Sequence, residues 1–317
     1  MTRTLLKLVS EVTVTSVTLM AQSPPEPVIR VTVDLVVIDA LKREDFELSE
    51  DGVRQEIVSF SQDQLPLSIV FLFDLTESVR PVLKPLASGA LAALQHLKPE
   101  DETAVMVYAA SAKLLQGFTT DRALTVAAIE KASEMDSNEQ AFFNEGVFQA
   151  AVQAAKAKNP ASRRVIVWLT DNVPNVPSES SLHTEIDALH ELLESGTVVS
   201  SLLERSAMSN TFTVLYTKNP IFAMGRKHHP PGDVYKYAEQ TGGQVMRSGK
   251  EEVAAKLAGL IDQIRTRYSL GYRSSVDRPP GKFCEIKLKV STDVEKREGQ
   301  VLVKAKRGYY RRAASSG

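Results

Sequence analysis

The sequence predicts an α/β fold: a doubly wound, mostly parallel sheet with a small accessory β sheet drawn from the N- and C-terminal segments. Three observations carry that prediction. Two unbroken apolar runs, Ser68 to Phe73 and Val165 to Thr170, each end in an acid, Asp74 and Asp171. Runs of this kind read as strands buried on both faces, which is the habit of parallel sheets. Between residues 65 and 267 such runs alternate with amphipathic helical patterns, the signature of right-handed strand-helix-strand units with helices on both faces. Alternating apolar and polar residues, by contrast, are confined to the two ends, at 23–64 and 268–317. Neither end makes a sheet that is stable alone, so the two are expected to combine as one accessory sheet.

The elements follow in order. Ile29, Val31, Val33 and Leu35 alternate with Arg30, Thr32 and Asp34, which predicts a strand over 28–38. Asp51-Gly52 between two alternating segments is a hairpin turn signal. After the strand that ends at Asp74, Pro81 or Pro85 suits a helix start, and Val82, Leu83, Leu86, Ala90, Leu94 and Leu97 form its apolar stripe. A strand pair is expected at 103–108 and 113–116, and helices at 122–133 and 145–158, the second closed by Asn159-Pro160. The strand 164–170 is followed by a helix over 182–194 that stops at Gly196, then a strand at 197–203. Residues 206–232 read as mostly loop. A helix over 233–240, a short strand at 244–246 and a helix over 251–267 complete the alternation. The final strands are placed at 268–272, 283–290 and 301–306.

Composition bounds the function. The chain has 317 residues, 43% of them hydrophobic and 24% charged, enough to bury a core. Basic and acidic residues number 38 and 39, a balance that argues against nucleic acid as the main partner. One cysteine, Cys284, excludes an internal disulfide framework. Residues 1–22 carry Arg3, Lys7 and a moderately apolar stretch before Ala21-Gln22-Ser23. This is the outline of a secretory signal, although Glu11 and several hydroxyl residues dilute it. An extracytoplasmic location, periplasmic or secreted, is the expectation. No run approaches the ~18 apolar residues that span a bilayer, so no membrane-spanning segment is expected.

Ligands in open α/β sheets sit beyond the carboxyl ends of the strands, where Asp74, Thr76 and Ser78 fall. Three oxygen side chains on one strand-end loop suit a hard divalent cation, Mg²⁺ or Mn²⁺. A single Asp in such a place is ordinarily a cap for the next helix. A second strand-end acid, Asp171, and two hydroxyls at alternate spacing favour the metal reading.

Asp74-x-Thr76-x-Ser78 after an apolar strand resembles the Asp-x-Ser-x-Ser signature of von Willebrand factor type A domains, and Val165 to Asp171 is similar to their later metal-site strand. The flanking stretches Asp45 to Phe60, Tyr268 to Tyr272 and Lys304 to Tyr310 resemble a bacterial branch of that family described from Acidobacteria. The resemblance implies a metal-ion-dependent adhesion site, a non-catalytic centre. Asp74, Thr76 and Ser78 would be first-loop ligands, and Asp171 would act directly or through water. An acidic side chain of a protein partner would complete the ion's shell. The chain also departs from the family. Gln140 occupies the place of a further ligand threonine, Asn144 that of an acid, and Asn172 that of a glycine. The run from Val37 to Ala40 leads almost directly into Leu41, where relatives carry another hairpin arm.

Other signals are weaker. His183, Asp187 and His190 share a helical face at a spacing that can hold Zn²⁺, but such rows are ordinarily solvated. His228-His229 sits among prolines, in loop. Gly242-Gly243 reads as a helix stop, Trp168 as packing, Cys284 as a residue without a reactive partner, and Lys304 to Arg312 as a solvated strand edge. A haloacid-dehalogenase-like phosphotransferase would use Asp74 as nucleophile, but it needs an acid at position 76, which is Thr. The expected function is a non-enzymatic protein-binding module with a strand-end, Mg-dependent site. The alternatives are a metal-free scaffold with a degenerate site and, more remotely, the phosphotransferase.

Overall fold

The structure, a computed structural model, describes residues 29–35, 41–62, 65–136, 140–173, 182–204, 233–299 and 301–311. The signal-like segment 1–22, the proline-rich stretch after it, the run from Val37 to Ala40 and the 206–232 stretch with His228-His229 lie outside the described residues.

The strands are β1 (Ile29–Leu35), β2 (Phe46–Glu50), β3 (Val53–Gln55), β4 (Ile57–Gln62), β5 (Leu67–Asp74), β6 (Glu102–Tyr108), β7 (Ala112–Thr119), β8 (Arg163–Thr170), β9 (Val198–Glu204), β10 (Val245–Ser248), β11 (Tyr268–Tyr272), β12 (Phe283–Val290), β13 (Val303–Ala305) and β14 (Gly308–Tyr310). The helices are α1 (Arg80–Leu94), α2 (Arg122–Glu134), α3 (Phe143–Ala155), α4 (Glu185–Ser195), α5 (Val234–Thr241), α6 (Val253–Arg265) and α7 (Thr292–Glu298).

The central sheet has six strands in the order β10-β9-β8-β5-β6-β7, parallel except for β7. Every residue of β5 is buried, as its unbroken apolar run requires. Its side chains alternate between two cores. Ile69, Phe71 and Phe73 meet α1, α2 and α6 through Leu83, Leu86, Ile129 and Leu257. Val70 and Leu72 meet α3, α4 and α5 through Val147, Ala151, Leu192 and Tyr237. The doubly wound expectation is borne out. Each such Leu or Phe, fully buried, contributes roughly 1.5–3 kcal/mol. Pro81 stands in the first turn of α1, and Pro85 is accommodated inside the same helix.

The terminal segments combine as expected, but in two sheets. One runs β13-β1-β11-β4 and the other β14-β12-β2-β3. Phe46 and Leu48 of β2, Ile57 of β4, Tyr268 and Leu270 of β11 and Ile286 of β12 share one core, so the sheets face each other. A single sheet would have left one apolar face of these strands in water; folding into two layers covers both. The predicted hairpin joins β2 to β3, with Asp51 and Gly52 at φ 48° and 83°, the left-handed pair that a two-residue hairpin turn demands. Helix α7 has no counterpart in the sequence reading, because Val294 is its one buried residue and one apolar position makes no stripe.

The sandwich is fastened to the central domain at the end of α5. Gly242 ends that helix at φ 79°, and a Cβ there would stand 2.6 Å from the backbone of Ala305. Arg307 N donates to Gln240 O at 2.9 Å, and the Arg307 side chain pairs with Glu239. Lys306 is bridged to Thr241, and its ammonium lies 5.6 Å from the Tyr309 ring centre. Burial pushes the Lys306 ammonium down to about 8. Its folded value therefore lies below the ordinary value of 10.5, so above about pH 8 the unfolded chain holds more protons than the folded one and stability rises with pH. Urea titrations at pH 7.5 and at pH 9.5 are expected to show Lys306→Met removing that rise, with its largest stabilisation relative to the parent at the lower pH.

Candidate functional site

The site lies at the carboxyl ends of β5, β8 and β9, where the apolar strands run out and the chain turns toward its helices. Asp74, the last residue of β5, is fully buried. Its Oδ1 accepts the Thr76 N–H at 2.9 Å. Its Oδ2 accepts the Tyr108 hydroxyl and the Thr170 hydroxyl, each at 2.8 Å. Tyr108 OH in turn accepts the Trp168 indole N–H at 3.0 Å. Trp168, expected as packing, is also part of this network. Its ring makes edge contacts with Tyr108, Phe143 and Tyr237 at 5.3–6.1 Å between centroids.

The loop after β5 turns tightly, because the Asp74–Thr76 bond closes it and Val79 and Arg80 both donate to Thr76 O. This brings the Thr76 and Ser78 hydroxyls to 3.3 Å from each other. Asp171 is buried at the end of β8, its Oδ1 accepting the Val173 N–H at 3.0 Å. The Ser78 hydroxyl bonds to Asp171 and lowers its pKa, though burial outweighs this and raises it. Asp74, Thr76, Ser78 and Asp171 are thus brought together. Gln140 is exposed just ahead of α3. Asn144 is buried and accepts the Tyr237 hydroxyl at 2.9 Å, which ties α3 to α5. Asn172 adopts φ 58°, a left-handed conformation that glycine takes freely and asparagine tolerates. It also accepts the Val234 N–H and donates to Asp233 Oδ1, both at 3.1 Å, at the N-terminus of α5.

Charge makes the site unusual. Burial, with the nearby Asp171 charge adding to it, pushes the Asp74 carboxyl up to about 6 against the hydrogen bonds from Thr76 and Thr170. Glu204, at the end of β9, is raised by burial and then by the same Asp171 charge. Its Oε2 is buried without a hydrogen-bond partner. The Asp171 charge thus acts on both Asp74 and Glu204. The donor set around Asp74 and Asp171 is oxygen only, with carboxylates and hydroxyls. That chemistry fits a hard divalent cation. Glu204, Tyr108 and Thr170 are the residues the sequence reading missed. Glu204 had a readable signal, since it too is an acid closing an apolar strand.

The other candidates do not gather. His183 pairs with Glu145 Oε2 at 2.6 Å and stacks on Phe148. His190 lies against Tyr310, and Asp187 caps its own helix through Thr184. Cys284 is buried beside Glu50 and Asp51, in the sandwich.

Residues 69–173 match the family model of the von Willebrand factor type A domain, a stretch that runs from β5 through Asp171 and is about a third of the chain. A search of the curated proteins finds no match. Similar solved structures include the conserved hypothetical protein BatB from Bacteroides thetaiotaomicron, at 13% identity and TM-score 0.43, covering 62% of this chain and 98% of that one. They also include the vWF domain of the type V pili tip protein Mfa5 from Porphyromonas gingivalis, at 11% identity, 63% and 95% coverage and TM-score 0.44. The pilus adhesin SpaC from Lactobacillus rhamnosus GG is similar at 10% identity, 85% and 48% coverage and TM-score 0.44. The stretch matched to that family runs through the central, mostly parallel sheet and contains Asp74, Thr76, Ser78, Gln140 and Asp171.

Removing the Tyr108 hydroxyl tests the network directly. Tyr108→Phe strips one donor from buried Asp74 and the acceptor from the Trp168 indole, and is expected to cost about 1–3 kcal/mol in urea unfolding. Trp168 fluorescence is expected to report the change in its hydrogen bonding.

Proposed function

We propose that the chain is a non-enzymatic protein-binding module that recognises its partner through the loops at the ends of β5 and β8, with a divalent cation held there. The observation that carries this reading is the convergence of Asp74, Thr76, Ser78 and Asp171 in one buried, oxygen-lined place. Asp74, Thr76, Ser78 and Asp171 would hold the ion; Gln140, exposed just ahead of α3, would approach from that side. When bound, Mg²⁺ or Mn²⁺ supplies a coordination place for an acidic side chain of the partner. The protein's own part is orientation. Tyr108 and Thr170 hold the Asp74 carboxylate, and the Thr76 N–H fixes its second oxygen.

A metal-free scaffold is the second reading. It is favoured by the exposed Gln140 in place of threonine and by Asn144, which is engaged by Tyr237. A phosphotransferase gains no support, since Thr76 offers no acid for proton transfer. The resemblance of the flanks to the bacterial branch, and of residues 1–22 to a secretory signal, supports action outside the cytoplasm. Among the described residues no helix is long and apolar enough to cross a membrane.

Calorimetric titration with Mg²⁺ and Mn²⁺ decides between the first two readings. Binding heat and a ligand-dependent rise in melting temperature are expected, and both are expected to vanish in Asp74→Asn. Gln140→Thr is expected to strengthen binding. Absence of heat and of any thermal shift in the parent would leave the scaffold reading standing.

A further inference from the structure

We infer that Glu50, Asp51 and Cys284 form a second metal site, in the terminal sandwich, of the kind that takes Zn²⁺. The inference is independent of the strand-end site and of the function proposed for it.

Two segments from opposite ends of the chain bring the three residues together. Phe46, Leu48 and Glu50 are the buried positions of β2, so Glu50 continues the row of side chains that faces the sandwich core. On β12 the buried positions include Cys284 and Ile286, and Glu50 stands opposite Ile286 in the ladder. The inward rows therefore set Glu50 and Cys284 beside each other, both fully buried. Asp51 follows in the hairpin turn, and two bonds hold it against β12. Its N–H donates to Glu285 O at 2.9 Å, and its Oδ1 accepts the Glu285 N–H at 3.0 Å. A carboxylate oxygen of Glu50, one of Asp51 and the Cys284 Sγ lie within 4.8 Å of one another.

An orphaned oxygen points to a ligand there. Glu50 Oε1 accepts the Ser274 hydroxyl at 2.9 Å and the Tyr309 hydroxyl at 3.0 Å. Its Oε2 is buried with no hydrogen-bond partner. The Tyr272 hydroxyl of β11 stands near Glu50 and is likewise without a hydrogen-bond partner. A carboxylate oxygen withdrawn from water in this way is costly. A core closed for its own sake would carry an apolar residue at position 50, as it does at 46 and 48.

The donor chemistry selects the metal. Mg²⁺ and Ca²⁺ take oxygen ligands, whereas a thiolate with two carboxylates suits Zn²⁺. Zinc bonds of about 2.0–2.3 Å put tetrahedral donors roughly 3.3–3.8 Å apart, so the three donors need to close by only about an ångström. On binding, the Cys284 thiol gives its proton to solvent and bonds as thiolate. Zn²⁺ then sets two positive charges against three negative ones. Arg278, whose Nε lies 2.9 Å from Asp51 Oδ2, balances the third. Asp51 is the partly exposed member, so entry, and a water as fourth ligand, are on its side. The ion would tie the β2–β3 hairpin to β12, segments separated by the whole central domain.

The test titrates the full chain with Zn²⁺ and with Co²⁺, a spectroscopic stand-in for zinc, with excess Mg²⁺ present to fill the strand-end site. Co²⁺ is expected to give a near-ultraviolet thiolate-to-metal absorption. Zn²⁺ is expected to displace it and to raise the melting temperature. Losing even an outer-shell partner costs about 10–100-fold in metal affinity, so Glu50→Gln, which removes a ligand at nearly constant shape, is expected to weaken Zn²⁺ binding about a hundredfold. Cys284→Ser is expected to abolish the absorption, and Asp74→Asn to leave it unchanged, which separates this site from the strand-end one. A parent chain with no thiolate-to-cobalt absorption would overturn the site. Absorption kept at parent strength and affinity in both Glu50→Gln and Asp51→Asn would overturn it too, since Cys284 would then bind without the carboxylates.

Discussion

A carboxylate without water must find its donors in the protein, and the Asp74 side chain finds them on three different elements. The Thr76 N–H closes the loop, the Tyr108 hydroxyl reaches across from β6, and the Thr170 hydroxyl reaches from β8. The Trp168 indole completes the set by bonding to Tyr108. Because Tyr108 and Trp168 are themselves packed against Phe143, and Trp168 against Tyr237, the polar network and the aromatic core are one unit. Satisfied networks of this kind specify one packing arrangement, and partly satisfied ones are expensive. The position of the strand-end loops follows from that unit.

The same network holds like charges together. Asp74 and Glu204 both respond to the Asp171 charge, and Asp74 takes its donors from hydroxyls and a backbone N–H. A protein stabilised for its own sake would replace such residues with apolar ones at little cost. Their retention at strand ends, where the sheet needs no side-chain charge, is the physical reason for reading the rim as a binding place.

Much of this was legible in the chain. The unbroken run 68–73 announced a strand buried on both faces, and Asp51-Gly52 announced its hairpin, because in each case a local pattern leaves one backbone solution. Asp74, Thr76, Ser78 and Asp171 were readable from their place after such runs. Glu204 was equally placed but followed a strand marked by two serines, Ser200 and Ser201, which blurred the pattern. Tyr108 and Thr170 could not be found from pattern at all. Their roles depend on the register of β6 and β8 against β5, which is a property of the assembled sheet. The division of the terminal strands into two sheets was hidden for a related reason. Alternation reports that one face of a strand is covered, but not which layer covers it. The glycine-like demand at Asn172 appeared in the sequence as a departure and in the structure as a left-handed asparagine that also anchors α5.

The two-sheet sandwich has a consequence for how the chain is made. β1 pairs with β11 and β13, and β2 pairs with β12, so each early strand waits for a partner from the far side of the whole central domain. Local contacts can form the central sheet as it is synthesised, whereas the sandwich closes only when the last strands emerge. Until then β1, β2 and β4 present unpaired edges, and the interval is one in which strand-to-strand association between chains competes with folding. The central domain acts as the connector that brings them together: by folding first, it shortens a separation of most of the chain to the distance between β4 and β11, neighbours in the finished sheet.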